Sequence, residues 1–205
     1  GSYNAGVSVA GARAWNQPTS IGASDFNNEI TQWSLDNYGE DVVANRRGGT
    51  IYYFDSDAST SPVRAAAVTN APSTVNSVIV SPNDRHLICL GSNIFGTTAS
   101  PHGDFNPMTV RWSDQEDRNN WTPSISSTSG EVLLTDGTKV VGGVRSRNAI
   151  NIWTDNSLWL MQFTGPPFTF SFRQAGSNCG MIGAHAGVDY NGVSYWMGDE
   201  NFYAY

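Results

Sequence analysis

Apolar and polar residues alternate along this chain in short runs, and almost nowhere do they take the three-to-four-residue spacing of a helix face. The alternation predicts strands at Thr31–Leu35, Asp41–Asn45 and Thr50–Phe54, then at Ser77–Val80, His86–Leu90 and Met108–Trp112. Five more are expected at Glu131–Leu134, Val140–Val144, Ala149–Trp153, Ser157–Phe163 and Phe168–Gln174. Gly187–Tyr190, Val193–Met197 and Phe202–Tyr205 complete the set. Turn chemistry separates the runs. Asp36-Asn37-Tyr38-Gly39, Arg46–Gly49, Ser81-Pro82-Asn83-Asp84 and Thr135-Asp136-Gly137-Thr138 read as turns, and Gly91–Pro107 as a loop.

Residues Val140–Gln174 form the clearest unit. Its four runs are joined by Arg145–Asn148, Thr154–Asn156 and Thr164–Pro167. Connections that short exclude crossovers, so one antiparallel sheet in chain order is expected. The last three runs look like a second such sheet without its fourth strand. A larger repeat overlies this pattern. Phe54, Trp112, Trp153 and Trp196 each close an alternating run and are followed by Asp55, Asp114, Asp155 and Asp199. The aromatics lie 58, 41 and 43 residues apart. A repeat of about 40–50 residues built from short strands is the signature of propeller blades. The expected fold is therefore all-β, a β-propeller-like array of four-stranded antiparallel sheets with three to four blades visible. Residues 1–28, rich in Gly, Ala and Ser, read as an extended arm, and 29–205 as the propeller-like domain. The incomplete last blade gives the chain the look of a fragment.

Composition narrows the function. Charged residues make up 14 % of the chain, against about 25 % in ordinary soluble domains, and Lys139 is the single lysine. The net charge of −7 argues against a nucleic-acid clamp, which needs clustered cations, so no sequence-specific nucleic acid is expected as partner. The basic pairs Arg46-Arg47 and Arg145-Ser146-Arg147 fall at strand ends, where pairing with nearby carboxylates is expected. No run approaches the ~18 apolar residues of a membrane span. Cys89, inside an apolar strand, reads as a buried small hydrophobe, and Cys179 lies in a turn. Neither belongs to a CxxC pair, so metal and redox chemistry are not signalled.

Candidate chemistry is sparse. The acidic stretch Ser113–Trp121 offers oxygen ligands for calcium, yet it lacks the Gly on which a calcium loop turns. It loosely resembles the structural Asp-box hairpins of sialidase propellers, with the Gly absent and the spacing different. The plainer reading is a turn in which Asp114 caps its own backbone. His86, His102 and His185 are scattered, with no metal-binding spacing, and no nucleophile elbow occurs. No catalytic residue, metal ligand or cofactor is therefore assigned. Exposed tryptophans would stack on sugars. Recurrent ones such as Trp112, Trp153 and Trp196 are expected instead to be buried at equivalent places between sheets, with Trp121 and Trp159 freer to face outward.

Several strings resemble a group of structural proteins from tailed bacteriophages and prophages. They are Gln32-Trp33-Ser34-Leu35-Asp36-Asn37-Tyr38-Gly39-Glu40-Asp41, Arg111-Trp112-Ser113-Asp114-Gln115-Glu116-Asp117 with Trp121-Thr122-Pro123, Leu134-Thr135-Asp136-Gly137, Gln162–Phe170 (which contains Phe163-Thr164-Gly165-Pro166-Pro167-Phe168) and Asn178-Cys179-Gly180. The resemblance covers about residues 30–205. It implies a non-enzymatic virion component of the tail, assembled in the host cytoplasm, whose partners are other virion subunits and copies of itself. Assembly in a reducing cytosol agrees with two unpaired cysteines. Two other functions remain open: a glycan-binding module that recognises host-surface sugars, and a glycosidase or sialidase-like propeller.

Overall fold

The structure, a computed structural model, describes residues 32–57 and 64–205. The expected arm over 1–28 lies outside the described residues, as does Thr31. No described residue is helical, and all the strands belong to four antiparallel sheets arranged as a four-bladed propeller. Blade 1 contains β1 (Trp33–Tyr38), β2 (Asp41–Arg46), β3 (Ile51–Phe54) and β4 (Ala66–Ala67). Blade 2 contains β5 (Val75–Val80), β6 (Leu87–Asn93), β7 (Phe105–Trp112) and β8 (Gly130–Leu133). Blade 3 contains β9 (Val140–Arg145), β10 (Ile150–Thr154), β11 (Ser157–Phe163) and β12 (Phe170–Ser177). Blade 4 has three strands, β13 (Gly187–Tyr190), β14 (Val193–Met197) and β15 (Phe202–Ala204). Within each blade the strands pair in chain order.

The first strand of each blade meets the first strand of the next: β1 against β5, β5 against β9, β9 against β13. These strands line the axis. Period-two alternation gives each sheet two faces, and the inner blades bury both. Three apolar cores result. Val43, Ile51, Leu87 and Cys89 fill the space between blades 1 and 2. Ile88, Val110, Ile150 and Ile152 fill that between blades 2 and 3. Trp153, Leu158 and Trp196 fill that between blades 3 and 4. Leu87 and Cys89 face one neighbour while Ile88 and Leu90 face the other, so β6 is buried along its whole length.

Several expectations need correction. Asp36-Asn37-Tyr38-Gly39 is not a turn. β1 runs on through Tyr38, with Asp36 opposite Val43, and the chain reverses at Gly39, whose φ of +72° suits glycine. Asp36 favours turns by its own chemistry, but here its carboxylate is used elsewhere, as described below. The expected loop from Gly91 is shorter, because β6 extends to Asn93 and β7 begins at Phe105. A register shift between Leu90 and Ser92 absorbs Gly91 at φ +67°. Thr135–Thr138 turns the chain between two sheets, from the last strand of blade 2 to the first of blade 3. The two-residue β4 had no alternation to reveal it, and β12 lies later than expected, ending at Ser177.

Candidate functional site

Trp112, Trp153 and Trp196 are buried, whereas Phe54 is 39 % exposed. Their positions are not equivalent. Trp153 and Trp196 stand on the second strands of blades 3 and 4, with ring centroids 5.3 Å apart, while Trp112 and Phe54 stand on third strands. Trp112 packs edge-on against Phe170 of blade 3 at 5.2 Å. Trp121 does not face outward: it is fully buried and donates its indole N–H to the Arg118 carbonyl at 2.7 Å. Trp159 is partly buried and donates to Ser157 Oγ at 2.8 Å.

Two of the carboxylates after the aromatics, Asp114 and Asp155, act as clamps. Asp114 accepts hydrogen bonds from Thr128 N (2.8 Å), Thr128 Oγ1 (2.6 Å), Gln115 N (2.9 Å) and Asn120 Nδ2 (3.0 Å). It thereby caps its own turn and also fastens the strand that follows it. Burial alone would raise its pKa, but the donors from Thr128 and Gln115 outweigh burial and hold the carboxyl below its ordinary range. Asp155 treats Thr138 in the same way, through that residue's hydroxyl and its N–H at 2.7 Å, and its pKa is lowered for the same reason. Asp55 and Asp199 make no comparable clamp. Among the described residues Asp55 accepts only the nearby Asp57 N–H, at 3.0 Å, and Asp199 lines a cavity. With its oxygens occupied by donors, Asp114 is a poor calcium ligand. No group of three or more His, Cys, Asp or Glu side chains is placed to hold a metal among the described residues.

A buried polar chain was not legible in the sequence. Ser81 Oγ bonds Asp84, Asp84 bonds His86 Nδ1, and His86 Nε2 lies 3.0 Å from Thr128 Oγ1, which in turn donates to Asp114. The order carboxylate, imidazole, hydroxyl resembles a nucleophile relay. Yet His86 is fully buried, flanked by Phe163 and Phe170 of blade 3 at 5.8 and 5.0 Å, where solvent and substrate do not reach it. The chain ties the β5–β6 turn to the loop before β8. Both cysteines are free, and burial pushes both thiols up, away from the reactive thiolate.

Two cavities bear on function, and one of them lies between the first strands. The smaller, about 240 Å³, is bordered by β1, β5 and β9. Here Asp36 on β1 accepts the Val80 N–H at 2.7 Å and pairs with Arg145 on β9, so one carboxylate joins three blades. Ser34 Oγ accepts the Val78 N–H at 3.0 Å. Side chains of β1 therefore satisfy the inner edge of β5, which would otherwise offer unpaired donors. The expected ion pairing of the basic residues holds for Arg145, whereas Arg47 donates to Gln32 Oε1 at 3.1 Å. The larger cavity, about 550 Å³, is polar, with Arg47, Lys139, Asn156, Asp199, Glu200 and Tyr203 on its walls.

Among the described residues, no core covers one face of each end blade. On blade 1 this face carries Trp33, Leu35, Val42, Tyr52 and Phe54. On blade 4 it carries Val188, Tyr190, Val193, Tyr195, Met197 and Phe202. Sequence alternation marks both sets as apolar stripes but cannot say that no neighbour covers them. Among protein-family models none matches the chain, and no curated protein matches it. No helix of the described residues is long and apolar enough to cross a membrane.

Proposed function

We propose that this protein is a non-enzymatic structural component of a bacteriophage virion, of the tail, that works by assembling with other virion subunits. The observation that carries the reading is the pair of uncovered aromatic faces on blades 1 and 4. Exposed apolar patches of that kind mark interaction surfaces in soluble proteins. The likeness of residues 30–205 to phage structural proteins supplies the setting, and the low charge suits surfaces that end up buried. Mass spectrometry of purified virions from the encoding phage or prophage tests it. The chain is expected at a fixed copy number per particle, and its absence from intact virions refutes the reading.

A second reading rests on the larger cavity. Its size lies within the usual ligand range, and its amides, carboxylates and cations suit a hydroxyl-rich ligand such as a host-surface glycan. A glycan array separates the two, since binding that Asn156→Ala and Glu200→Ala abolish would favour recognition over pure assembly.

A further inference from the structure

We propose that the free face of blade 4 in one copy of this chain packs against the free face of blade 1 in a second copy, continuing the propeller packing from molecule to molecule. The proposal rests on the assembly reading above and names the partner: the chain itself, joined head to tail.

All three internal interfaces are built alike. The second face of one blade meets the first face of the next, as Ile88 and Leu90 of blade 2 meet Ile150 and Ile152 of blade 3, and Trp153 of blade 3 meets Trp196 of blade 4. Among the described residues, blade 1 buries only its second face and blade 4 only its first. What is left over is one first face and one second face, the two halves of the interface already used three times. Among the described residues no apolar core joins blade 4 to blade 1 within the chain. Leu35 is 67 % exposed, Tyr190 69 % and Phe202 81 %.

Charge agrees with the pairing. Arg46, exposed and opposite Trp33, closes the blade 1 face at the end where β1 starts. Asp199 and Glu200 are exposed in the turn after β14, at the edge of the blade 4 face. Both edges lie at the same axial end, because Arg47 and Asp199–Glu200 border one cavity. Head-to-tail packing therefore brings Arg46 to the same end of the contact as Asp199 and Glu200 while the aromatic surfaces meet. A heterologous contact of this sort closes a ring when its rotation allows and otherwise builds a filament.

Light scattering on the whole chain and two variants tests this. Leu35→Glu places a charge on the blade 1 face, and Phe202→Glu does so on the blade 4 face. Neither side chain belongs to a core, so both variants keep the wild-type circular dichroism. Should either lose it, Trp33→Glu and Tyr190→Glu take their places. The wild type is expected to exceed the monomer mass of 22.1 kDa, and each variant alone to fall to it. An equimolar mixture of the two variants is expected to recover a two-copy species, because one intact face of each kind remains. A monomeric wild type, a single variant that keeps the wild-type mass, or a mixture that stays monomeric overturns the proposal. Chain that is present in virions but monomeric in solution overturns this inference and leaves the virion reading standing.

Discussion

At the scale of single residues, the recurring aromatic-then-Asp pattern divides into packing and clamping. Trp153 is fully buried against Trp196, and its indole nitrogen finds no acceptor among the described residues. Trp153→Ala is expected to cost about 3–5 kcal/mol as a large-to-small core change, measured by urea unfolding. Trp153→Phe should cost clearly less, because it forfeits no hydrogen bond. Asp114 makes a separate prediction. Its carboxyl titrates lower in the folded chain than in the unfolded one, so the stability it contributes is present above the unfolded pKa. That contribution fades as pH falls below about 4. Asp114→Asn is expected to lower stability at pH 7 by about 1–3 kcal/mol and to flatten the acid limb of a stability–pH curve. A variant with an unchanged acid limb would show that the clamp is energetically idle.

At the scale of elements, the bulge in β6 shows how one backbone position sets a sheet. Gly91 holds φ +67°, and a Cβ added there would lie 2.7 Å from Asn76 Nδ2 on the paired strand β5. Gly91→Ala is expected to destabilise by about 1–3 kcal/mol, read as a lower urea midpoint with an unchanged slope. Burial differs sharply among strands. β6 is buried end to end, whereas β15 is exposed at Phe202 and Ala204 and pairs on one side only. Hydrogen exchange should therefore be slowest in β6 and fast in β15. If head-to-tail packing occurs, protection in blade 4 should rise with protein concentration.

At the scale of the whole molecule, the junction of three blades depends on Asp36. It bonds Val80 of blade 2 and pairs with Arg145 of blade 3 from its own place in blade 1. The partners are not alike, since Asp36 is buried and Arg145 is 41 % exposed. Losing Arg145 leaves the buried Asp36 carboxylate without its cation, though it still accepts the Val80 N–H. Losing Asp36 leaves a half-solvated Arg145 but strands the buried Val80 N–H. Each truncation is thus expected to cost about 1–3 kcal/mol in equilibrium unfolding. No measurable cost for either would mean that the junction is held by apolar packing alone.

Alternation and turn chemistry are enough to spell the strand alphabet of the chain: β-class, chain-order meanders, the four strands of blade 3 and the three of blade 4. Those are local matters, settled by period-two alternation and by turns too short for any other connection. Ser157–Phe163, Gly187–Tyr190 and Val193–Met197 were legible to the residue, because each run is closed by a turn that carries Gly: Gly165, Gly192 and Gly198. It takes the folded chain to show that Asp36 continues a strand, that Trp121 is buried, and that Ser81, Asp84, His86, Thr128 and Asp114 form one polar chain. Each of these depends on a partner distant in sequence, and propensity carries no record of which face a distant blade will cover. The candidate interaction surface divides along the same line. Its apolar residues could be read from the chain, but their exposure follows from the stacking of blades, which buries two faces of every inner sheet and only one of each sheet at the ends.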